Sequence, residues 1–187
     1  MERMLVRIGM AMAMIVAVFG SMSCARQSAD EQLPAQPAQD PVERGEYLVR
    51  TSGCEHCHSP GGMYGLPDPN RRLGGSDLGW KGAWGVRYPS NLTPDPTSGL
   101  GQWSDSQIVN AIRIAQHRDR TPIQGPMPWF HFVYFNEQDA RAIMAYLRSI
   151  PPVAHKVPER VPAGQSVMGA FVEIPPPPAW DAPRGSQ

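Results

Sequence analysis

Between Ser59 and Trp103 the chain carries ten Gly and six Pro in 45 residues, with little helical or strand periodicity. Residues of that kind at that density oppose regular structure, and an idle loop of such length is uncommon in a compact domain. The segment is therefore expected to wrap around something. What it wraps is indicated by the five residues just before it, Cys54-Glu55-His56-Cys57-His58.

The two thiols lie about one helical turn apart, so both can bond the edge of a planar ring while the next residue offers imidazole to a metal at its centre. Cys-x-x-Cys-His is a specific signature of c-type haem attachment. Cys54 and Cys57 would form thioethers, and His58 would be the proximal ligand, its other ring nitrogen oriented by a backbone carbonyl near Ser59 or Pro60. A redox disulfide requires neither His58 nor a glycine-rich wrap and belongs with a βαβ pattern not seen here. A structural zinc site needs four ligands, and there is no second cysteine pair.

Helices flank the motif on both sides. Asp40-Pro41-Val42-Glu43 supplies an N-cap acid, Pro at the first helical position and Glu three residues after the cap, which predicts a helix to about Ser52 ended by Gly53. Ser104 and Gln107 form a capping box, with Trp103 placed to staple onto Ile108; Ile108, Ala111, Ile112 and Ala115 then share one face. After a loop from His117 to Phe135, Asn136 caps a third helix whose Ala140, Ile143, Met144 and Leu147 recur at helical spacing until Pro151-Pro152 stops it.

The two ends of the chain read differently. Arg3, Arg7, an apolar run from Ile8 to Phe19 and small residues to Ser23 have the layout of an export signal over residues 1–24. The competing reading is an uncleaved anchor, for which the apolar run is short. Cys24 resembles the lipidated cysteine of a bacterial lipoprotein, which would tether the protein to a membrane and use an otherwise leftover thiol. Residues 25–40 are rich in Ala, Gln and Pro and read as a flexible linker. A Pro-rich tail is expected over residues 158–187, either disordered or strapped onto its own domain, with a partner-docking role as the third possibility.

Without residues 1–23 the chain has 15 basic and 16 acidic side chains, a balance that speaks against nucleic acid as a partner. Lys81 and Lys156 are its only lysines. A lysine-rich face that steers acidic redox partners is therefore excluded, and recognition is expected to be local and partly apolar.

A closed coordination shell asks for Met or His on the far side of the iron. Met127 is the favoured candidate, because Pro126 and Pro128 stiffen its backbone. Met63 lies too close to His58 in sequence to cross easily to the opposite face, Met144 belongs to a helical stripe and Met168 is in the tail. His117 and His131 are the histidine alternatives. Arg71, Arg72, Arg87, Arg118 and Arg120 are all able to pair with haem propionates, and the sequence does not choose among them. Four tryptophans, Trp80, Trp84, Trp103 and Trp129, are available to pack on the ring or in an ordinary core.

The segments Asn91-Leu92-Thr93-Pro94-Asp95, Gly99-Leu100-Gly101-Gln102-Trp103-Ser104, Pro126-Met127-Pro128-Trp129 and Ala145-Tyr146-Leu147-Arg148-Ser149-Ile150-Pro151-Pro152, taken with Cys54 to His58, resemble the class I c-type cytochromes of bacteria. The resemblance implies an all-α fold with long Gly/Pro-rich loops around one covalent haem c, over residues 41–157. It also implies His58 as proximal and Met127 as distal ligand, and electron transfer between redox proteins or within a membrane respiratory or dehydrogenase complex on the periplasmic side. Two further hypotheses stand beside it: an enzyme or small-molecule sensor with an open sixth site, and a docking subunit that uses its tether and tail.

Overall fold

A computed structural model describes residues 39–175. The expected export signal, Cys24, the linker up to residue 38 and the tail beyond residue 175 lie outside the described residues. No helix among the described residues is long and apolar enough to cross a membrane.

Among the described residues five α-helices occur in chain order: α1 at Pro41–Thr51, α2 at Cys54–His58, α3 at Asp105–Arg113, α4 at Trp129–Phe132 and α5 at Glu137–Ser149. A 3₁₀ turn spans Gly62–Tyr64, and three strands are present, β1 at Gly79–Gly82, β2 at Gly85–Arg87 and β3 at Phe171–Glu173.

The helical starts follow the local chemistry. Asp40 Oδ1 accepts from the Val42 and Glu43 amides at 2.7 and 3.2 Å, and Pro41 opens the helix without losing a needed donor. Ser104 Oγ accepts from Gln107 N at 3.2 Å while Gln107 Oε1 accepts from Ser104 N at 2.9 Å, which completes the expected capping box. Asn136 Oδ1 accepts from Asp139 N at 2.7 Å. Helix α3 stops at Arg113, so Ala115 is buried beyond its end, with a left-handed φ of 51°.

Helices α1 and α5 pack on each other through Gly45, where a side chain would run into the Ala142 carbonyl and Tyr146 Cβ. That close approach brings Leu48 and Val49 of α1 against Ile143, Tyr146 and Leu147 of α5, and Ile108 of α3 joins the same core. Arg148 ties the α5 end to the start of α3 through the Leu100 and Trp103 carbonyls and Asp105.

The expectation of an all-α fold is corrected by a three-stranded sheet of order β2-β1-β3. Strands β1 and β2 form an antiparallel hairpin with Trp80 opposite Arg87 and Lys81 opposite Val86. Strand β3 runs parallel to β1, with Trp80 opposite Val172. The hairpin comes from the glycine-rich stretch Gly79 to Arg87. Its strands are too short to establish a period-two pattern, and Gly85, at φ 84°, makes its reversal possible. Part of the expected tail thus lies against the domain: residues 171–173 enter the sheet, and Val161 bridges Val86.

Candidate functional site

Helix α2 carries the Cys-x-x-Cys-His motif and is fastened at several points. Arg72 forms an ion pair with Glu55, Ser59 Oγ accepts from Leu73 N at 2.8 Å, and Gly75 N donates to the His58 carbonyl at 2.8 Å. Both cysteines are free thiols, with no disulfide between them. Burial pushes the Cys54 thiol up to about 11 and raises Cys57 as well. Among the described residues no group of three or more His, Cys, Asp and Glu side chains is placed to hold a metal ion.

His58 Nδ1 lies 2.7 Å from the Ser90 carbonyl. The orienting carbonyl was expected near Ser59 or Pro60; the glycine-rich segment supplies it from farther along the chain. Burial lowers the imidazole pKa, outweighing the opposing effect of the Ser90 hydrogen bond, and so favours the neutral ring. The carbonyl can only accept, so Nδ1 carries the proton and Nε2 keeps its lone pair for a metal.

Met127 approaches from a different part of the chain. The β1–β2 hairpin holds the residues that lead to it: Gly125 packs on the Trp84 ring, and Arg87 Nη2 donates to Gln124 Oε1 at 2.6 Å. Pro128, directly after Met127, occupies the N-cap position of α4.

Cys54, Cys57, His58 and Met127 all line one cavity of about 870 Å³. Its wall is mostly apolar, with Leu92, Leu100, Ile108 and Leu147 among its lining residues, and Trp80 and Trp103 contribute aromatic surface. That volume lies in the range of cofactor pockets. Size, apolar walls, two thiols, a neutral imidazole and a thioether are a donor set suited to a haem. His117 also lines the cavity, whereas Met63, Met144, Met168 and His131 do not. Met144 packs against the helical core, Met168 is 92% exposed, and His131 lies tilted against the Phe130 ring.

Two participants escaped the sequence reading. Ser90 contributes through its backbone, which leaves no side-chain signature. Arg160 lines the cavity from the segment read as a tail; the only cue was the Val-rich stretch around it, which is too brief to signal pairing with Val86.

The chain is 30% identical over 156 residues to the cytochrome c subunit of alcohol dehydrogenase (quinone) from Gluconobacter oxydans (strain 621H), covering 82% of this chain and 29% of that protein. It is 31% identical over 143 residues to the gluconate 2-dehydrogenase cytochrome c subunit of Pantoea cypripedii, covering 76% and 30%. A diheme cytochrome c-type protein of Cereibacter sphaeroides is 26% identical over 149 residues, covering 77% and 47%. The chain thus spans less than half the length of each of these relatives. The family model described as Cytochrome c matches residues 42–151, more than half of the chain, and the chain belongs to the cytochrome c family.

Proposed function

We propose that this electron-transfer protein would hold a single haem c through thioethers at Cys54 and Cys57, with His58 and Met127 as the iron's protein ligands. Its role is electron transfer rather than catalysis of its own. Bound haem c supplies a one-electron Fe(III)/Fe(II) couple. The chain's residues do the rest: His58 presents a neutral nitrogen fixed by Ser90, Met127 presents a thioether from a proline-stiffened segment, and the apolar wall excludes water. An imidazole from His58 and a thioether from Met127 would together favour a high potential and leave little for the chain to rearrange between oxidation states.

The observation that carries this reading is the convergence of Cys54, Cys57, His58 and Met127 on one cavity. One haem is proposed because the sequence has one Cys-x-x-Cys-His motif. The relatives named as cytochrome subunits of dehydrogenases support a role as the cytochrome module of such a complex. An extracytoplasmic site, with lipid on Cys24 as tether, belongs to the same proposal and accords with the secretory pattern of residues 1–24.

The intact mass of protein made with haem-c maturation tests the attachment. One haem is expected on the wild type and none stably attached to the Cys54→Ala, Cys57→Ala double variant. Stopped-flow reduction of the ferric protein tests the setting: membranes oxidising an alcohol or gluconate should reduce it faster than membranes without substrate. Equal rates would remove the dehydrogenase assignment and leave the haem assignment intact.

A further inference from the structure

We propose that Arg87 and Arg160 form the anion-binding end of the cavity and receive the carboxylates of the haem propionates. The inference rests on the haem reading above and concerns a part of the cavity away from the four ligating residues. Val86 N donates to the Val161 carbonyl at 2.8 Å and Val161 N to the Val86 carbonyl at 3.0 Å, an antiparallel bridge between β2 and the C-terminal strap. One residue along such a pair, Arg87 stands opposite Arg160. Both line the cavity.

Like charges directly opposite one another on paired strands are destabilising. Among the described residues neither guanidinium belongs to an ion pair. Glu159, which also lines the cavity, is engaged by Lys156 at 3.2 Å. Asp119 accepts from Thr121. Arg87 spends one nitrogen on Gln124, but its Nε is buried without an acceptor, an unfavourable position for a charged donor. Burial first, and then the facing charge of Arg160, push the Arg87 guanidinium below its ordinary value. Burial likewise lowers His117, against the opposing effect of Asp119, and both arginines add to the lowering, so their field reaches across this end of the cavity.

A ligand that carries carboxylates at one edge and is apolar elsewhere answers all of these features. Its anionic edge satisfies the orphaned Nε, separates the two like charges with a countercharge and places the apolar body against the apolar wall. Guanidinium forks match carboxylates in a way that an ammonium does not. The strap acquires a function here: it brings Arg160 to the site and completes a binding end that β2 supplies only in part.

Two positive charges beside the propionates stabilise the reduced iron and keep the carboxylates ionised through neutral pH. The test is a redox titration of the holoprotein at several pH values across the neutral range, for wild type, Arg87→Gln, Arg87→Lys, Arg160→Gln and, as a control, Arg141→Gln. Arg141 pairs with Glu137 and does not line the cavity. The wild-type and control midpoints should stay nearly flat with pH. The two Arg→Gln variants should have lower midpoints that fall further as pH rises and the released propionates lose protons, and Arg87→Lys should lie between.

Arg160 is exposed, so its variant reports even if Arg87→Gln does not mature. Midpoints and pH profiles equal to wild type in Arg160→Gln and in whichever Arg87 variant retains covalent low-spin haem would overturn the proposal. A wild-type protein that never acquires covalent haem would instead overturn the underlying haem reading, and the propionate site with it.

Discussion

His58 Nδ1 and the Ser90 carbonyl oxygen meet at 2.7 Å across 32 residues of sequence. That contact makes the glycine-rich wrap a structural part of the histidine ligand. The loop is anchored beside Ser90 by buried Asn91, whose Nδ2 donates to the Val153 carbonyl at 2.7 Å and whose Oδ1 accepts from Thr93 N and Oγ1 at 2.9 and 2.7 Å.

Asn91→Ala therefore leaves buried groups without partners and frees the Ser90 carbonyl to move. The expected loss is roughly 1–3 kcal/mol for each unsatisfied group, read by denaturant unfolding of the holoprotein. A weaker hydrogen bond to Nδ1 makes His58 a poorer donor, so the midpoint potential should also rise. An unchanged potential would separate the loop anchor from ligand tuning.

The α1–α5 crossing depends on the missing side chain at Gly45. A methyl group there meets the Ala142 carbonyl and Tyr146 Cβ, and backbone cannot move aside as a flexible side chain does. Gly45→Ala should destabilise the holoprotein by at least about 1–3 kcal/mol. An equally stable variant in the same unfolding experiment would mean that the helices can separate without loss.

Acid stability should depend on Asp95. The Ser98 hydroxyl, followed by the Ser98 amide and the Thr97 hydroxyl, holds its carboxyl down at about 2. Between the ordinary value of 3.8 and about 2 the unfolded chain binds more protons than the folded one, so stability falls as pH falls through that window. Asp95→Asn should flatten this limb of the stability profile while lowering stability at neutral pH, since an amide is a weaker acceptor for the same donors. Thermal unfolding of wild type and variant as a function of pH measures both effects.

Much of this architecture was legible in sequence because its signals are local. The Asp40, Ser104 and Asn136 caps each act within three residues, and the apolar stripe of α5 repeats at helical spacing over a long segment. The Cys-x-x-Cys-His motif likewise states its chemistry in five residues, and the prolines beside Met127 mark a stiff segment before any contact is known. The sheet was not legible: β2 and β3 have three residues each, and the pairing of Trp80 with Val172 joins distant parts of the chain. Ser90 was hidden for another reason, since its carbonyl is common to every residue and only tertiary structure selects it. Arg160 combined both difficulties, lying in a proline-rich segment whose return to β2 is a long-range event.

Haem attachment and ligation are read together in the absorption spectrum of haem-matured protein, oxidised and reduced, before and after acid-organic extraction, for wild type, Met127→Ala and His117→Ala. One non-extractable low-spin haem is expected, with a methionine–iron charge-transfer band that persists in His117→Ala and is lost in Met127→Ala. A high-spin wild-type spectrum, or a band indifferent to Met127, would contradict the His58–Met127 ligation, and extractable haem would contradict its attachment at Cys54 and Cys57.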